Sequence, residues 1–544
     1  MKLHSHLQGH YQITMSQQGA PRRKRHSTTF FMLFVLLSIL ATSAATDTFF
    51  ISSSTGDDTG SGASPSSPWR TLARAAAAVN GGAISNATVL LLSGDAFTLP
   101  SAAFFQGLSN FTLASYGPSL RRPVLERPAG SAAGPTLTFD NCTGVAVRGL
   151  EVRGGEVGIA FTFGAGGAGP SDYAGNLEVT DNYFEGIRGL NYSPSSGQWW
   201  GAAVALAAGR WPVHVRGVVV ANNIVNGSDT FFKNEVPWSP WVRVELSAVT
   251  LENNTLLACG YNCLFLDSVS DVLVSSNVFL ADTPPQLFVA GTTDIIMGTL
   301  NASVVLRGNE MSKRGEFQPG GPDGCAVDFE TNATGVGFFD NYVSRAFGAG
   351  VMVFGHADDS NTNLHIGGNK FLFNGCGQTR GDHGGIAFMH KRSSGTLVGN
   401  IMATCPGVAL LNDALDPGLP GWLIANNTVD GEGGVTLAVA VPPTVAGTPQ
   451  SGGGLLVTAT HPQPDAVVLR YSEGGGGRPG PTSPIFPEAG LLLPPNWRAV
   501  AVLVKAFPIA PAGGGIVPVE SECAGSVFAP PSPTAPPPGA PAPL

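Results

Sequence analysis

Residues 332–354 read NATGVGFFDNYVSRAFGAGVMVF, and this stretch decides the fold. Val336 and Phe338 alternate with other residues, the chain turns at Asp340-Asn341, runs through Val343, turns again across Ala346–Gly350 and resumes alternation at Val351 and Val353. Single Asn or Gly corners break up the strands, and no apolar stripe of helical length lies between them. Strands this short cannot each bury a face alone, so they must stack on copies of themselves as the coils of a solenoid.

The copies are present. An apolar alternation, two small or polar residues, an Asn and an apolar residue recur at Asn182 (VTDNYF), Asn223 (VANNIV), Asn254 (LENNTL), Asn277 (VSSNVF), Asn309 (LRGNEM), Asn341, Asn369 (IGGNKF), Asn400 (LVGNIM) and Asn427 (IANNTV). The intervals are 41, 31, 23, 32, 32, 28, 31 and 27 residues; the shortest approximates the bare coil, and the others carry insertions at particular corners. Asn suits a sharp corner because it tolerates the left-handed conformation, and its amide can bond the same amide one coil away. At about 4.8 Å per coil, nine rungs make a rod of roughly 40 Å.

These repeats resemble those of right-handed parallel β-helix proteins, the pectin-lyase-like superfamily, over about Phe49 to Val435. The resemblance implies an all-β fold, a right-handed parallel β-helix spanning 46–440. Thr46 to Val79 resembles the first coil of many such proteins: a strand, a Gly/Ser/Asp loop and a short helix. Ser67 is the expected N-cap, Pro68 the first helical residue and Asn80-Gly81-Gly82 the stop, and the helix would cover the open apolar end of the rod. In VAVRGLEV, Leu150 stands where the ladder Asn would be, so the ladder begins one coil later.

Beyond Val435 the Asn pattern stops. Residues 441–454 read as a Pro/Gly linker, and 455–523 carry the strand-like segments LLVTAT, VVLRYS and RAVAVLVKAF. Their order, with Arg470 to Gly474 as a strand ending in a turn and Arg498 to Phe507 as the later strand, resembles the C-terminal module of chitobiases and β-hexosaminidases, a small β-sandwich. In that family the module accompanies catalytic domains, so the resemblance implies a carbohydrate context and no reaction. Residues 524–544 form a Pro-rich tail of extended polyproline composition, similar to hydroxyproline-rich cell-wall segments; a plain disordered tail fits equally.

At the other terminus, Arg22-Arg23-Lys24-Arg25 precedes a twelve-residue apolar run, Phe30 to Ala41, and the small residues Thr42 to Ala45. Twelve is short of the roughly twenty that a membrane span needs, so 1–45 reads as a secretory signal peptide, with a signal anchor of type II topology as the alternative. Nine N-x-S/T sites, at Asn86, Asn110, Asn141, Asn191, Asn226, Asn253, Asn301, Asn332 and Asn426, fit a secreted glycoprotein, and such tripeptides also arise by chance in Asn-rich turns. Export permits disulfides. Cys259 and Cys263 flank the tight ACGYNC corner, while the odd total of seven Cys leaves at least one thiol over. Net charge is −9, and removing Lys2, Arg22, Arg23, Lys24 and Arg25 with no acid takes it to −14. That surface argues against nucleic acid and repels polyuronates unless calcium, the one candidate cofactor, or a local basic patch intervenes. A monomer, free of the membrane after signal cleavage, is expected.

In parallel β-helices, as the resemblance implies, ligands lie along one exposed strand face. The aligned strands here are Cys263–Asp267, Cys325–Glu330, Gly350–His356, Gly385–Lys391 and Gly407–Asp413. Alternation turns Val327 and Phe329 inward and Asp328 and Glu330 outward, about 7 Å apart. His356, His390 and Lys391 would stand near the same strand ends, and Asp382-His383 ends an inserted loop. Inverting glycoside hydrolysis needs two carboxyls about 6.5 to 9.5 Å apart, which Asp328 and Glu330, or either with Asp267, could supply. Lyase chemistry needs a base such as Lys391 or a His, with a cation or Arg392 to neutralise the substrate carboxylate. Trp199 and Trp200, in a long insertion, can stack on sugar rings or can equally hold the loop down as core. All of these residues can also be read as hydrated strand ends. The paired-aspartate, GHG and RIK signatures of polygalacturonases and the WxDH of pectate lyases are absent, which disfavours those activities. The expected role is to bind or cleave extracellular or cell-wall polysaccharide, as a glycoside hydrolase or polysaccharide lyase, or else to serve as a non-catalytic carbohydrate-binding or structural wall protein.

Overall fold

The computed structural model describes residues 47–528 with interruptions, the longest at 190–200, 235–243, 283–294 and 315–323. The leader 1–45 and the final Pro-rich residues 529–544 lie outside the described residues. Residues 332–354 form one coil of a right-handed parallel β-helix. Thr334–Phe339, Tyr342–Ser344 and Val351–Val353 contribute one strand to each of three sheets, here called A, B and C in chain order. Among the described residues these sheets have 14, 12 and 11 strands. Each strand pairs in parallel with its counterpart one coil away, as Val327–Phe329 pairs with Val351–Val353.

The inward residues of all three sheets make one continuous apolar core. On sheet C, Phe105, Phe139 and Phe161 stack on successive coils with centroids 5.3 and 5.4 Å apart, because parallel in-register strands place like residues above one another.

The asparagine ladder runs unbroken from Asn182 to Asn427. Each Oδ1 accepts from both the backbone N–H and the Nδ2 of the Asn one coil earlier, at 3.0 and 3.0 Å from Asn277 to Asn309 for example. Each Nδ2 also donates to a backbone carbonyl, as Asn277 does to Leu251 at 2.8 Å. Leu150, lacking the amide, closes the series by donating its own N–H to Asn182 Oδ1. The expectation that the ladder residue itself adopts the left-handed conformation is corrected. The residue before it does so: Asp181, Asn222, Asn253, Ser276, Asp340 and Asn426 have φ between 54° and 57°, and Gly308, Gly368 and Gly399 between 64° and 69°. The corner is made one residue early, which leaves the buried Asn to bond along the rod axis.

At the first coil the helix is Leu72–Val79 and its N-cap is Thr71, whose side chain accepts from Arg74 N–H, rather than Ser67. Ser67 and Pro68 are used differently. Trp69 bridges Ile51 as an extended residue, with Trp69 N–H to Phe50 O and Ser52 N–H to Trp69 O both at 2.8 Å. The helix can therefore start only after Arg70. Its Leu72, Ala75, Ala76 and Val79 are buried in the rod core, as a cap on the solenoid end requires. At the far end the last inward residue of sheet A, Ile424, is 42% exposed.

After the last coil, two small antiparallel sheets form the sandwich. One contains Thr444–Pro449, Leu455–Thr460 and Leu491–Leu493; the other contains Val467–Glu473, Val500–Pro508 and Ala524–Phe528. Thr444–Pro449 falls in the stretch read as linker and Ala524–Phe528 in the stretch read as tail. Both pair with strands that the alternation did mark, which overrides weak local propensity.

The module docks against the outer face of sheet B. Val500–Val504 and Lys505 are buried on both sides of their strand. Val500, Val502 and Val504 fill the module's own core, while Ala501 packs on Tyr183 and Ile224, and Leu503 on Val278 and Leu280. Lys505 continues the second row and meets Glu310 at 2.8 Å, both side chains fully buried. Arg478 reaches Glu310 at 3.5 Å and Glu520 at 2.8 Å, and Lys370 also pairs with Glu520. Cys523 donates its N–H to Glu310, and the Tyr342 ring lies under Lys505 Nζ at 4.0 Å. Burial opposes ionisation of Glu310, but Lys505 and Arg478 outweigh it and hold the carboxyl below its usual range.

Candidate functional site

The strands in which the sequence places its candidate residues all belong to sheet C. Their outward positions line up in register: Ala205, Lys233, Phe265, Ile296, Asp328, Met352, Ala387 and Asn412 occupy successive coils. This row is largely out of water. Ala205, Lys233, Asp328, Met352 and Ala387 are all buried, although they point away from the rod core. A face read from the sequence as an open groove is therefore covered over much of its length.

Asp328 sits between Ile296 and Met352 in that row and its side chain is fully buried. Glu330 lies one residue past the end of the same strand, half-buried. Asp267 holds the equivalent place two coils earlier, one residue past Leu264–Leu266, which puts it about 10 Å along the rod from Glu330. Its backbone is fixed by Asn234, which accepts the Asp267 N–H at 3.0 Å and donates to the Asp267 carbonyl at 2.6 Å. Arg392 is exposed and stands at the corner that opens the sheet A strand Ser393–Val398, where its carbonyl accepts from Asn361 N–H. Trp199, Trp200, His356, Asp382, His383, His390 and Lys391 lie outside the described residues. Among the described residues no group of three or more His, Cys, Asp or Glu gathers to hold a metal ion.

Sequence reasoning missed a second charged group on the same side of the rod. Lys233 is the outward residue three coils before Asp328, and it is buried. Asp229, one residue ahead of its strand Thr230–Lys233, accepts two backbone N–H groups, from Gly189 at 2.8 Å and Gly201 at 2.9 Å. Burial pushes the Asp229 carboxyl above the usual range, against the pull of those two donors and of Arg188 and Lys233. The signal in the sequence was the Lys of DTFFK, a charge on the outward side of an otherwise apolar strand.

Two disulfides close corners that flank sheet C strands, Cys259–Cys263 before Leu264–Leu266 and Cys376–Cys405 between neighbouring coils. Cys142, Cys325 and Cys523 are buried thiols.

A family model described as the right-handed β-helix region matches residues 242–436. No curated protein matches the sequence. Among solved structures, a lacto-N-biosidase of family GH136 from Eubacterium ramulus is 14% identical with a TM-score of 0.49, covering 74% of this chain and 70% of that one. The A-module of the mannuronan C-5 epimerase AlgE6 from Azotobacter vinelandii is also 14% identical, with a TM-score of 0.41 and coverage of 65% and 92%. An alginate lyase from a Paenibacillus species is 12% identical, with a TM-score of 0.34 and coverage of 66% and 97%. At these scores none of the three says what this chain acts on. Its own strand register and the matched region make it a right-handed parallel β-helix with a small β-sandwich docked on one flank.

Proposed function

We propose that this protein cleaves extracellular polysaccharide on the outer face of sheet C, with Asp328 as the central carboxylate. One observation carries the reading. Asp328 is fully buried on the outward row, between Ile296 and Met352, where stacking of coils requires only an apolar or small side chain. Burying an acid is expensive, and such groups concentrate at functional sites. Glu330, two residues on, is the second carboxylate for acid–base hydrolysis, for which an inverting mechanism needs the two carboxyls about 6.5 to 9.5 Å apart. Asp267 extends the acidic row. His356, His390 and Lys391 complete the catalytic candidates. Trp199, Trp200, Asp382, His383 and Arg392 are the substrate-binding ones.

The remaining elements of the proposal are secretion by a cleaved leader over 1–45, N-glycosylation and residence in or near a cell wall. The two disulfides suit an oxidising compartment, and Asn110, Asn332 and Asn426 are exposed at corners, as glycan carriers must be. The resemblance of the docked module to chitobiase C-terminal domains supports a carbohydrate context.

The test incubates the purified mature chain and its Asp328→Asn variant, with and without calcium, against neutral and acidic polysaccharides. New reducing ends and the ultraviolet absorbance of unsaturated uronates are followed. Reducing ends alone, abolished in the variant at unchanged melting temperature, are the expected result. Both signals together would make it a lyase with Lys391 or a His as base. Neither signal, with retention on an immobilised glycan, would make it a binding protein and retire Asp328 as a catalyst.

A further inference from the structure

Of the rod's three outer faces, sheet A keeps its own open to solvent. The module covers sheet B and the outward row of sheet C is largely buried, whereas on sheet A Val219 and Leu273 are 38% and 37% exposed. Val219, Thr250, Leu273, Val305, Gly337 and His365 follow one another in register, a row about 24 Å long. A parallel sheet is normally covered on both faces, and a largely apolar row left in water marks a surface that meets a ligand or partner. Beside this row lies an aromatic ring that the sheet is shaped to hold. Phe339 leans back over Gly337, two residues before it in the same strand, and sideways to Gly367 in the next coil. A Cβ at Gly337 would stand 2.3 Å from Phe339 Cε2, and one at Gly367 3.4 Å from Cδ1, so the half-buried ring lies down on the sheet in space that glycine leaves. Arg307, paired with Phe339 from the previous coil, has its guanidinium carbon 5.6 Å from the ring centroid, beside the ring rather than in face contact at about 3.5–4.0 Å. Its Nε meets Asp340 Oδ2 at 3.3 Å, and these two side chains are 61% and 62% exposed. His365 lies across from Gly337, with Nδ1 3.1 Å from Thr396 Oγ1.

We infer that Phe339, with Arg307, Asp340 and His365 around it, forms a binding subsite for a neutral pyranose ring of a polysaccharide, on a different face of the rod from Asp328. The inference rests on the binding half of the polysaccharide reading above and needs no turnover. A pyranose has an apolar C–H face and a rim of hydroxyls. The Phe339 ring supplies a flat apolar surface for the first. For the second, Arg307 offers only donors and the Asp340 carboxylate only acceptors, so together they serve both ends of a hydroxyl. Their charges cancel, which suits a neutral sugar better than a uronate. A protein partner is a poorer match, because such interfaces bury about 800 Å² a side around a broad apolar core. Here the row is one side chain wide, with the exposed Asp271 on one side and Glu252 and Arg307 on the other. The ring also covers the two glycines, a packing task that a leucine could perform. A leucine has no flat face, and that difference separates binding from packing.

The experiment is affinity electrophoresis of the full mature chain in native gels containing a mixed-linkage β-glucan, an arabinoxylan, a galactomannan or polygalacturonate. The unaltered protein is expected to be retarded by at least one of the three neutral polymers. Phe339→Leu should weaken that binding about threefold to tenfold at an unchanged melting temperature, as loss of one aromatic contact implies, and Phe339→Tyr, which keeps the ring face, should retain it. Arg307→Ala, at a largely exposed position, is the second variant if Phe339→Leu does not fold; it should lower retardation too. No retardation in any neutral gel overturns the inference, and so does equal retardation of Phe339→Leu and the unaltered protein. Stronger retardation by polygalacturonate than by the neutral polymers overturns the neutral-sugar assignment. A dimer that Phe339→Leu abolishes, seen by sedimentation without retardation, would make the face a contact for a second copy instead. New reducing ends are followed on the same samples. Retardation that depends on Phe339 without reducing ends refutes Asp328 as a catalyst and leaves this subsite standing; reducing ends with retardation unchanged in Phe339→Leu refute the subsite alone.

Discussion

Replacing Lys505 with Met should separate the flanking module from the rod more effectively than any surface change. Lys505 and Glu310 are both fully buried and 2.8 Å apart, one on the module's central strand and one on the outer row of sheet B. Removing one partner of a buried pair leaves an uncompensated charge and typically costs 3–5 kcal/mol. Here Arg478 remains 3.5 Å from Glu310 and the Cys523 N–H still donates to it, so the lower end applies, about 3 kcal/mol. The double variant Glu310→Leu/Lys505→Met removes this pair from a seam that Val278, Leu280 and Leu503 line beside it, and leaves Arg478 and Lys370 paired with Glu520. It should recover most of the loss, since a hydrophobic pair of similar volume commonly equals or exceeds a buried ion pair. Urea unfolding of the wild type, both single variants and the double variant gives the coupling energy directly. A single variant within about 1 kcal/mol of wild type, or a double variant as unstable as the singles, would refute the reasoning, because the pair would then not be desolvated at all.

Two other outcomes follow from the same contacts. Asn277→Ala in mid-ladder orphans the Asn254 N–H and takes one bond each from Asn254 Nδ2, Leu251 O and Asn309 Oδ1, whereas Asn427→Ala at the half-buried end costs fewer bonds. At about 1–3 kcal/mol for a buried orphan and about 1 kcal/mol for each further bond lost, denaturant melts should show Asn277→Ala costing over 3 kcal/mol and Asn427→Ala clearly less; equal costs would mean the ladder is not cooperative with the core. In acid, Glu520 is decisive. Burial works against its ionisation, but Lys505, Lys370 and Arg478 bring its pKa from 4.5 down to about 2, so the unfolded chain binds a proton that the folded chain refuses. Its stabilisation is complete above pH 4.5 and is lost as pH falls from there towards 2, while Glu151 and Asp229, pushed up by burial, release a cost as they protonate. Thermal melts of Glu520→Gln should show a shallower acid loss than wild type, and identical slopes would sink the assignment.

The solenoid was legible because its strongest signal is chemical and repeated. Nine Asn amides must each find two partners, and only stacking supplies them. What escaped was whatever the fold demands of the backbone but not of the side chain. Sheet A opens on a second column of left-handed residues, Gly144, Asn176, Gly217, Ala248, Asp271, Ser303, Gly335 and Asn363, with φ between 43° and 77°. Gly, Asn, Ala, Asp and Ser share it, so no single residue type marks it, because an exposed left-handed position accepts several residues at modest cost, whereas a buried amide ladder accepts one. The same distinction applies at the candidate site. Alternation put Asp328 on the outward face, but its burial depends on what lies above sheet C, and no pattern within one strand encodes that. Asp229 was invisible for a related reason: its two partners are backbone N–H groups of another coil, which carry no sequence signature.

The segment RAVAVLVKAF held more than alternation suggested. A strand with one face in water alternates apolar and polar residues, yet from Val500 to Val504 there is no polar residue at all. A run of that kind belongs to a strand covered on both faces, and a sandwich this small can cover only one with its own core. The second cover must therefore come from elsewhere in the chain, and the long outer face of sheet B is where it is found. Lys505 sharpens the point. A lysine that continues the row of Ala501 and Leu503 cannot face water if that row is buried, so its presence requires a buried acid on the opposing surface, and Glu310 is that acid. Position 310 also lies on an outward row, directly after Asn309, the ladder residue of its coil. Outward-facing charge on a solenoid thus has two meanings that sequence alone does not separate. On sheet B it marks where the chain's own module docks, and on sheet C, where Lys233 and Asp328 are buried in the same way, it marks the face proposed here to receive a glycan.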